Sequence, residues 1–388
     1  MSSADETLFI TGATGFLGGY AATRLLDTHP GVRLRPLVRA RSREQAIERL
    51  WGSFQLHVDA ARFWEMMDRV EPALGDLHAP DLGLDAATRE AILGDTGSVL
   101  HIAASLNRKS DKACLNTNVR GTLSVVKLAR ALADGRGLRR YTHVSTVAVA
   151  GKRNAEVVLE DDAIDWDRSD YDPYARTKKL CEHLAHELLP DVQKTILRPS
   201  IVMGDSRFPE TAQFDMVRAT AFLADLPVVP FRPTWRADIV NADWVGRAIE
   251  TLHMKARPEH TIYHLSAGLS SPTLGAVGDA LHAGTGKRIR FAPSLLGPFQ
   301  TAVDLANGWR AKNPVTLVAS LLKVFLPYIT YDTVFDNARA VAEVGVAPAS
   351  FTGYGPALYR WSKANAFTYP TRPLPSRAEA EKTKEAAA

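Results

Sequence analysis

Tyr174 and Lys178 stand four residues apart in Tyr174-Ala175-Arg176-Thr177-Lys178. On a helix that spacing puts both side chains on one face. A phenol titrates near pH 10 in water, and a fixed ammonium beside it favours the phenolate, so the pair suits proton transfer to or from a carbonyl oxygen. The spacing alone is common. A second group gives it weight: Tyr141 to Val149 is predicted as a strand, and Ser145 and Thr146 put hydroxyls towards its C-terminal end. Open α/β sheets bind their ligands at that edge.

The element that would position a cofactor against these groups lies at the other end of the chain. Leu8-Phe9-Ile10 reads as the end of a buried strand, Gly12, Gly15 and Gly18 follow at a spacing of three, and Tyr20 to Leu26 continues with helical periodicity. A glycine turn lets the backbone approach a phosphate, and the helix behind it offers unpaired N–H groups and a partial positive charge. Thr11, Gly12, Thr14, Gly15, Phe16, Leu17 and Gly18 are therefore candidate contacts of a dinucleotide pyrophosphate. The next strand, Val32 to Val38, ends in Arg39-Ala40-Arg41-Ser42-Arg43. An acidic residue there would hold the 2′-hydroxyl of NAD, whereas Arg39, with Arg41 or Arg43 behind it, suits a 2′-phosphate and favours NADPH. The alternative is a solvated basic loop.

Between these two ends the pattern alternates strand and helix. Glu44 to Glu71 is predicted as helix, its aromatic and Met residues read as core. Val70 to Leu77 is predicted as a third strand ending at Asp76 and Leu77, where Asp76 could accept from an adenine amino group. A fourth strand, Ser98 to Ala103, leads to Ala103 and Ala104, small enough for close cofactor approach; His101, a lone histidine beside a strand, reads as structural. A long helix from about Lys112 to Ala133 carries Asn118, and Gln193 to Arg198 is a sixth strand closed by Pro199. Thr261 to Leu265 is a late strand. The alternation predicts a doubly wound parallel sheet of Rossmann type with a smaller C-terminal substrate-binding lobe. Residues 1–200, with core strands also from about 236–265, form the dinucleotide domain; 201–370 form mainly the lobe, and 371–388 a flexible, frayed tail.

Composition bounds the rest. A chain of 388 residues with 46% hydrophobic and 23% charged residues has ample core for this fold. A net charge of +4, spread along the chain, could suit an acidic ligand such as a nucleotide or coenzyme A and is too mild to argue for nucleic acid. Cys114 and Cys181 lie in no metal-ligand spacing, so no metal is expected, and they read as packed thiols of a reducing compartment. The polar N-terminus Met1 to Glu6 lacks the features of a secretory signal, which makes cytoplasm the expectation. The run Val315 to Ile329, broken by Lys323 and Pro327, is too short to span a bilayer.

Thr11-Gly12-x-x-Gly15-x-x-Gly18, Asp76-Leu77, His101-x-Ala103-Ala104, Asn118, Ser145-Thr146 and Tyr174-x-x-x-Lys178 together resemble the extended short-chain dehydrogenase/reductase family over about residues 7–285. The resemblance implies Tyr174 as proton donor and Lys178 as its tuner and a holder of the nicotinamide ribose. It implies Thr146 as the hydroxyl partner at the substrate oxygen and Asn118 as a holder of water or helix geometry for proton relay. It adds His101, Ala103, Ala104, Pro199 and Ile201 to the cofactor set. Leu37-Val38-Arg39-Ala40, Gly75-Asp76-Leu77, Val144-Ser145-Thr146 and Arg198-Pro199-Ser200-Ile201 are similar to the male-sterility branch, which contains fatty acyl-CoA reductases and the thioester-reductase domains of carboxylic acid reductases. The chain departs from the thioester-reductase pattern at Arg207-Phe208-Pro209, where Thr-Gly would follow Gly-Asp-Ser.

The resemblance implies NADPH-dependent reduction of an acyl thioester, coenzyme A-linked or carried by a protein, to aldehyde or on to alcohol. The apolar stretch from Phe291 onward, including Leu317, Leu321, Leu322, Val324, Phe325, Leu326 and Tyr328, reads as helices capping the lobe. Its functional alternative is an acyl tunnel or a surface for peripheral membrane contact. The rival activities are a ketone or alcohol oxidoreductase on a lipid or steroid-like substrate, and a sugar-nucleotide epimerase. Arg39, and Val147-Ala148 after Thr146, count against the epimerase. A non-catalytic NADP sensor would have no need of Tyr174, Lys178, Thr146 and Asn118 together.

Overall fold

Seven strands form one parallel sheet: β1 (Thr7–Thr11), β2 (Arg33–Val38), β3 (Ala73–Leu74), β4 (Thr96–His101), β5 (Arg140–Val144), β6 (Lys194–Pro199) and β7 (Ile262–Leu265). Their spatial order is β7-β6-β5-β4-β1-β2-β3. The computed structural model describes residues 6–160, 164–286, 288–309 and 313–387; the polar residues 1–5 and residues 161–163 of the acidic loop before Tyr174 lie outside the described residues. Strand order reverses at β1 and β4, which opens a crevice at their carboxyl ends.

Side chains alternate across the sheet because successive residues of a strand point to opposite faces. Leu8, Ile10, Leu100 and Leu197 enter a core with α1 (Phe16–Thr28), α2 (Arg43–Phe54), α3 (Ala60–Met67) and the later helix Ala242–Met254. Phe9, Val99 and Ile196 enter the other, with α4 (Gly121–Gly135) and α5 (Pro173–Leu188). Both faces are covered, as a doubly wound sheet requires.

Several boundaries depart from the sequence expectation. The helix expected over Glu44 to Glu71 is two helices, because the Asp59 carboxylate accepts from Arg62 N at 2.8 Å and caps a new start. The third strand shrinks to Ala73–Leu74, and the fourth is shifted two residues earlier. The long helix around Asn118 is interrupted by a π turn at Leu115–Arg120. The fifth strand stops at Val144; Val147–Ala150 is a 3-10 turn whose first N–H groups include Ala148 N, bonded to the Thr146 hydroxyl at 3.3 Å.

On the β6 side Arg198 meets Glu182 of α5 through two hydrogen bonds, 2.7 and 3.0 Å, with side-chain exposures of 3% and 0%. Arg198→Met would strand a carboxylate in the core, so unfolding free energy should fall by about 3–5 kcal/mol. Urea denaturation checks this, and adding Glu182→Leu should recover most of the loss.

The lobe packs around two apolar clusters built from α6 (Asp215–Asp225), α7 (Leu274–Thr285), α8 (Pro314–Thr330) and the helix Phe351–Ala364. Among the described residues no helix is long and apolar enough to cross a membrane. Beyond the lobe the chain returns to the dinucleotide domain. Tyr369 and Arg372 bond Gln55, and the indoles of Trp51 and Trp64 donate to the carbonyls of Arg372 and Pro375 at 2.8 and 3.1 Å. The segment expected to fray is instead a helix, α9 (Arg377–Ala387), paired to α3 through Lys384–Glu65 at 2.7 Å and Arg377–Asp68 at 2.5 Å. Its alanine- and charge-rich composition concealed these partners.

Candidate active site

The turn from β1 into α1 is built for close approach. Gly12 has φ +83°, and a Cβ on it would come within 2.7 Å of Ala103 N; one on Gly18 would overlap the Gly12 carbonyl oxygen. No side chain caps Gly15 at the start of α1, and no acidic residue occupies the first turn. The first-turn N–H groups are therefore ready to receive an anion. This cradle fits a dinucleotide pyrophosphate, and it forms one end of a cavity of about 420 Å³ between the sheet edge and the lobe.

Thr14, Phe16 and Leu17 line the cavity with the three glycines, and Ala103, Ala104, Pro199 and Ile201 line it from the ends of β4 and β6. Thr146, two residues beyond β5, and Tyr174 on α5 also line it. Tyr174 is set by a helix start that its neighbours dictate: Asp172 accepts from Ala175 N at 2.9 Å, and Pro173 occupies the first helical position. The Thr146 hydroxyl donates to Pro199 O at 3.4 Å and accepts from Ala148 N at 3.3 Å, which fixes it at the cavity wall that Tyr174 also lines. Burial pushes the Tyr174 pKa up to about 12, against the opposing pull of Arg108 and Thr146. The phenol is a donor at neutral pH.

Other candidates lie beneath or beside the cavity. Thr11 and His101 are buried under its floor: His101 Nδ1 meets the Thr11 hydroxyl at 2.6 Å and Nε2 the Thr122 hydroxyl at 2.9 Å. Burial and Lys178 push the His101 pKa down to about 3, so the ring is a neutral strut. Asn118 accepts from Ser105 N at 2.7 Å and donates to Thr177 at 2.9 Å, clamping the loop after β4 to α5. Leu77 packs against Gly121, where a Cβ would approach its side chain to 2.6 Å. Arg39 is 65% exposed with Asp76 4.0 Å away, and Arg41 bonds Gln45 through its backbone. Arg207, at the departure from the thioester-reductase pattern, folds back onto Asp205 at 2.8 Å.

Lys178 differs most from expectation. Its ammonium is buried and donates to Val144 O at 2.6 Å and His143 Nε2 at 3.0 Å, and burial lowers its pKa. The cation at Tyr174 is Arg108, whose guanidinium lies 4.5 Å from the phenol ring centroid. Arg108 is paired with Asp172 at 2.8 Å and donates to Tyr328 Oη at 2.6 Å. Burial works against its charge, yet Tyr328, Asp172 and Tyr174 raise its pKa. Asn107-Arg108-Lys109-Ser110-Asp111 looks like a solvated loop in sequence, and nothing in its periodicity marks Arg108. Both cysteines are buried, and burial pushes both thiols up.

A switch-point crevice with a glycine cradle at one end and a hydroxyl pair at the other defines a nicotinamide-dinucleotide enzyme of the extended short-chain dehydrogenase/reductase class. The chain belongs to the male sterility protein family, whose NAD-binding domain model matches residues 10–249. It is 27% identical over 243 residues to a fatty acyl-CoA reductase of Drosophila melanogaster, covering 54% of this chain and 46% of that one. It is 28% identical over 294 residues to a carboxylic acid reductase of Mycobacterium tuberculosis, covering 68% and 25%. The chain thus spans less than half the length of these relatives. Its fold matches the terminal R domain of the myxalamid PKS-NRPS biosynthetic pathway with a TM-score of 0.78 and 23% identity, covering 94% of this chain and 93% of that one.

Proposed function

We propose that this chain reduces an acyl thioester, linked to coenzyme A or to a carrier protein, with NADPH as reductant. The observation that carries the reading is the convergence of Thr146 and Tyr174 on one cavity with the glycine cradle. Relatives named as fatty acyl-CoA and carboxylic acid reductases support the substrate class. NADPH is favoured because Arg39 follows β2 directly, its side chain is mostly exposed with Asp76 no nearer than 4.0 Å, and no acidic residue stands between Arg39 and Arg43.

When bound, the nicotinamide supplies hydride to the carbonyl carbon. Thr146 and Tyr174 hold the carbonyl oxygen and stabilise the negative charge that grows there, an effect worth most in a water-poor site. Tyr174 then gives up its proton. Collapse of the adduct breaks the carbon–sulfur bond, so one thioester, one NADPH and one proton yield an aldehyde, a thiol and NADP. Neither cysteine takes part. Lys178 fixes the carboxyl end of β5 through Val144, and Asn118 holds the loop carrying Ala104 and Arg108.

NADPH oxidation with acyl-CoA and carrier-bound thioesters, followed together with thiol release, tests the reading. One NADPH per thiol is expected for aldehyde and two for alcohol. NADPH loss on ketones without thiol from any thioester would overturn it in favour of the ketone or alcohol oxidoreductase.

Arg108 tunes the proton donor in this mechanism. Arg108→Met removes the cation and leaves Asp172 to disfavour the developing phenolate, so kcat should fall about tenfold to a hundredfold. NADPH affinity should hold, and Arg108→Lys should restore part of the rate. An unchanged kcat in Arg108→Met would remove Arg108 from the mechanism.

A further inference from the structure

Beside the main cavity the lobe carries a second, smaller pocket of about 70 Å³, partly open at its mouth. The two share Ile201, Met216 and Tyr328 as walls. Tyr328 acts as the partition. Its hydroxyl is held on the catalytic side by Arg108 at 2.6 Å and Asp172 at 3.2 Å, which fixes the ring that the second cavity meets. The inner walls are apolar, from Leu223 on α6, Val277 and Leu281 on α7, and Ile289 and Phe291 on the strand segment that follows. Thr220 is the polar exception among the α6 and α7 linings, and its hydroxyl is turned towards Met203 Sδ at 3.8 Å.

A pocket with such walls offers water few partners, so an apolar group that displaces water from it gains by entering. We infer that this pouch receives the hydrocarbon end of the acyl group, so that the substrate is a thioester with an unbranched apolar chain, not a peptidyl or charged acyl group. The inference deepens the thioester reading and rests on it for the occupant. The carbonyl end is held at Thr146 and Tyr174, and the chain passes the shared walls Ile201 and Met216 to reach the pouch. Of the apolar stretch from Phe291 onward, Phe291, Tyr328 and Ile329 line the pouch and Phe325 the main cavity, whereas Leu317 is 53% exposed and Leu322 and Leu326 are buried in a helix-packing cluster.

The test compares wild type with Gly278→Leu, whose new side chain starts 3.4 Å from the Phe291 ring and fills the pouch, and with Leu281→Ala, which enlarges it. Circular dichroism and NADPH affinity establish that each variant is folded. In wild type, kcat/KM should rise steeply from acetyl-CoA to hexanoyl- and decanoyl-CoA, about threefold to fourfold per methylene that enters the pouch. Gly278→Leu should erase that rise while keeping acetyl-CoA turnover, and Leu281→Ala should move the optimum to longer chains. A length profile unaltered by both variants would overturn the proposal. A second readout needs no turnover: n-hexanol should raise the melting temperature of wild type and not of Gly278→Leu. If hexanol does so while no thioester of any length releases thiol, the hydrocarbon site stands and the thioester reading falls. If hexanol stabilises both proteins equally or neither, the site falls.

Discussion

Tyr174→Phe should lower turnover by about a thousandfold or more, since it removes the donor that both stabilises the oxyanion and protonates it. NADPH affinity should stay within about twofold, because the glycine cradle and the Arg39 strand end are untouched. The phenol is buried and carries no packing role that phenylalanine cannot fill, so the melting temperature should hold. Stopped-flow NADPH oxidation and fluorescence titration of NADPH separate the two effects. Turnover within tenfold of wild type would remove Tyr174 from the chemistry and, with it, the reading of the cavity as a reductase site.

Gly18→Ala should act on the other half of the site. The added methyl would overlap the Gly12 carbonyl oxygen and lie 2.8 Å from Ala13 Cα, all backbone atoms that cannot swing aside. The turn must open, and displacement of the α1 N-terminus by about an ångström should weaken NADPH binding about a hundredfold. Calorimetric titration measures this, and native affinity would refute the role given to the cradle. Gly52→Ala, at a helical glycine with no atom near its Cβ, is the control that should leave affinity unchanged.

The parts of the fold that could be read in sequence are those fixed by local rules. The β1 run, the three glycines and the α1 periodicity specify their turn without help from distant residues, and Asp172-Pro173 announces the start of α5. What could not be read depends on tertiary partners. Val144-Ser145-Thr146-Val147 continues an apolar pattern, yet the Thr146 hydroxyl bonds Ala148 N and ends the strand. Lys178 shares a helix face with Tyr174, but the hydrogen bonds of its ammonium go to His143 and Val144, on a strand the spacing says nothing about. Arg108 is recognisable only when Asp172, Tyr174 and Tyr328 are seen around it, and Tyr328 is 220 residues distant in sequence.

The return of the chain to α2 and α3 bears on how substrate can enter. The lobe leaves the sheet after β6, is tied back to it at β7, and is moored again beyond Pro370, where Trp51, Trp64 and Gln55 grip the strap leading to α9. A flap hinged at one end could swing as a rigid body, but a span fastened at both ends cannot do so without peeling the strap from two tryptophans. Any widening of the cavity mouth must therefore come from flexing within the lobe. Pro327 removes one hydrogen bond from the ladder of α8 one residue before the Tyr328 partition, which lowers the cost of bending there.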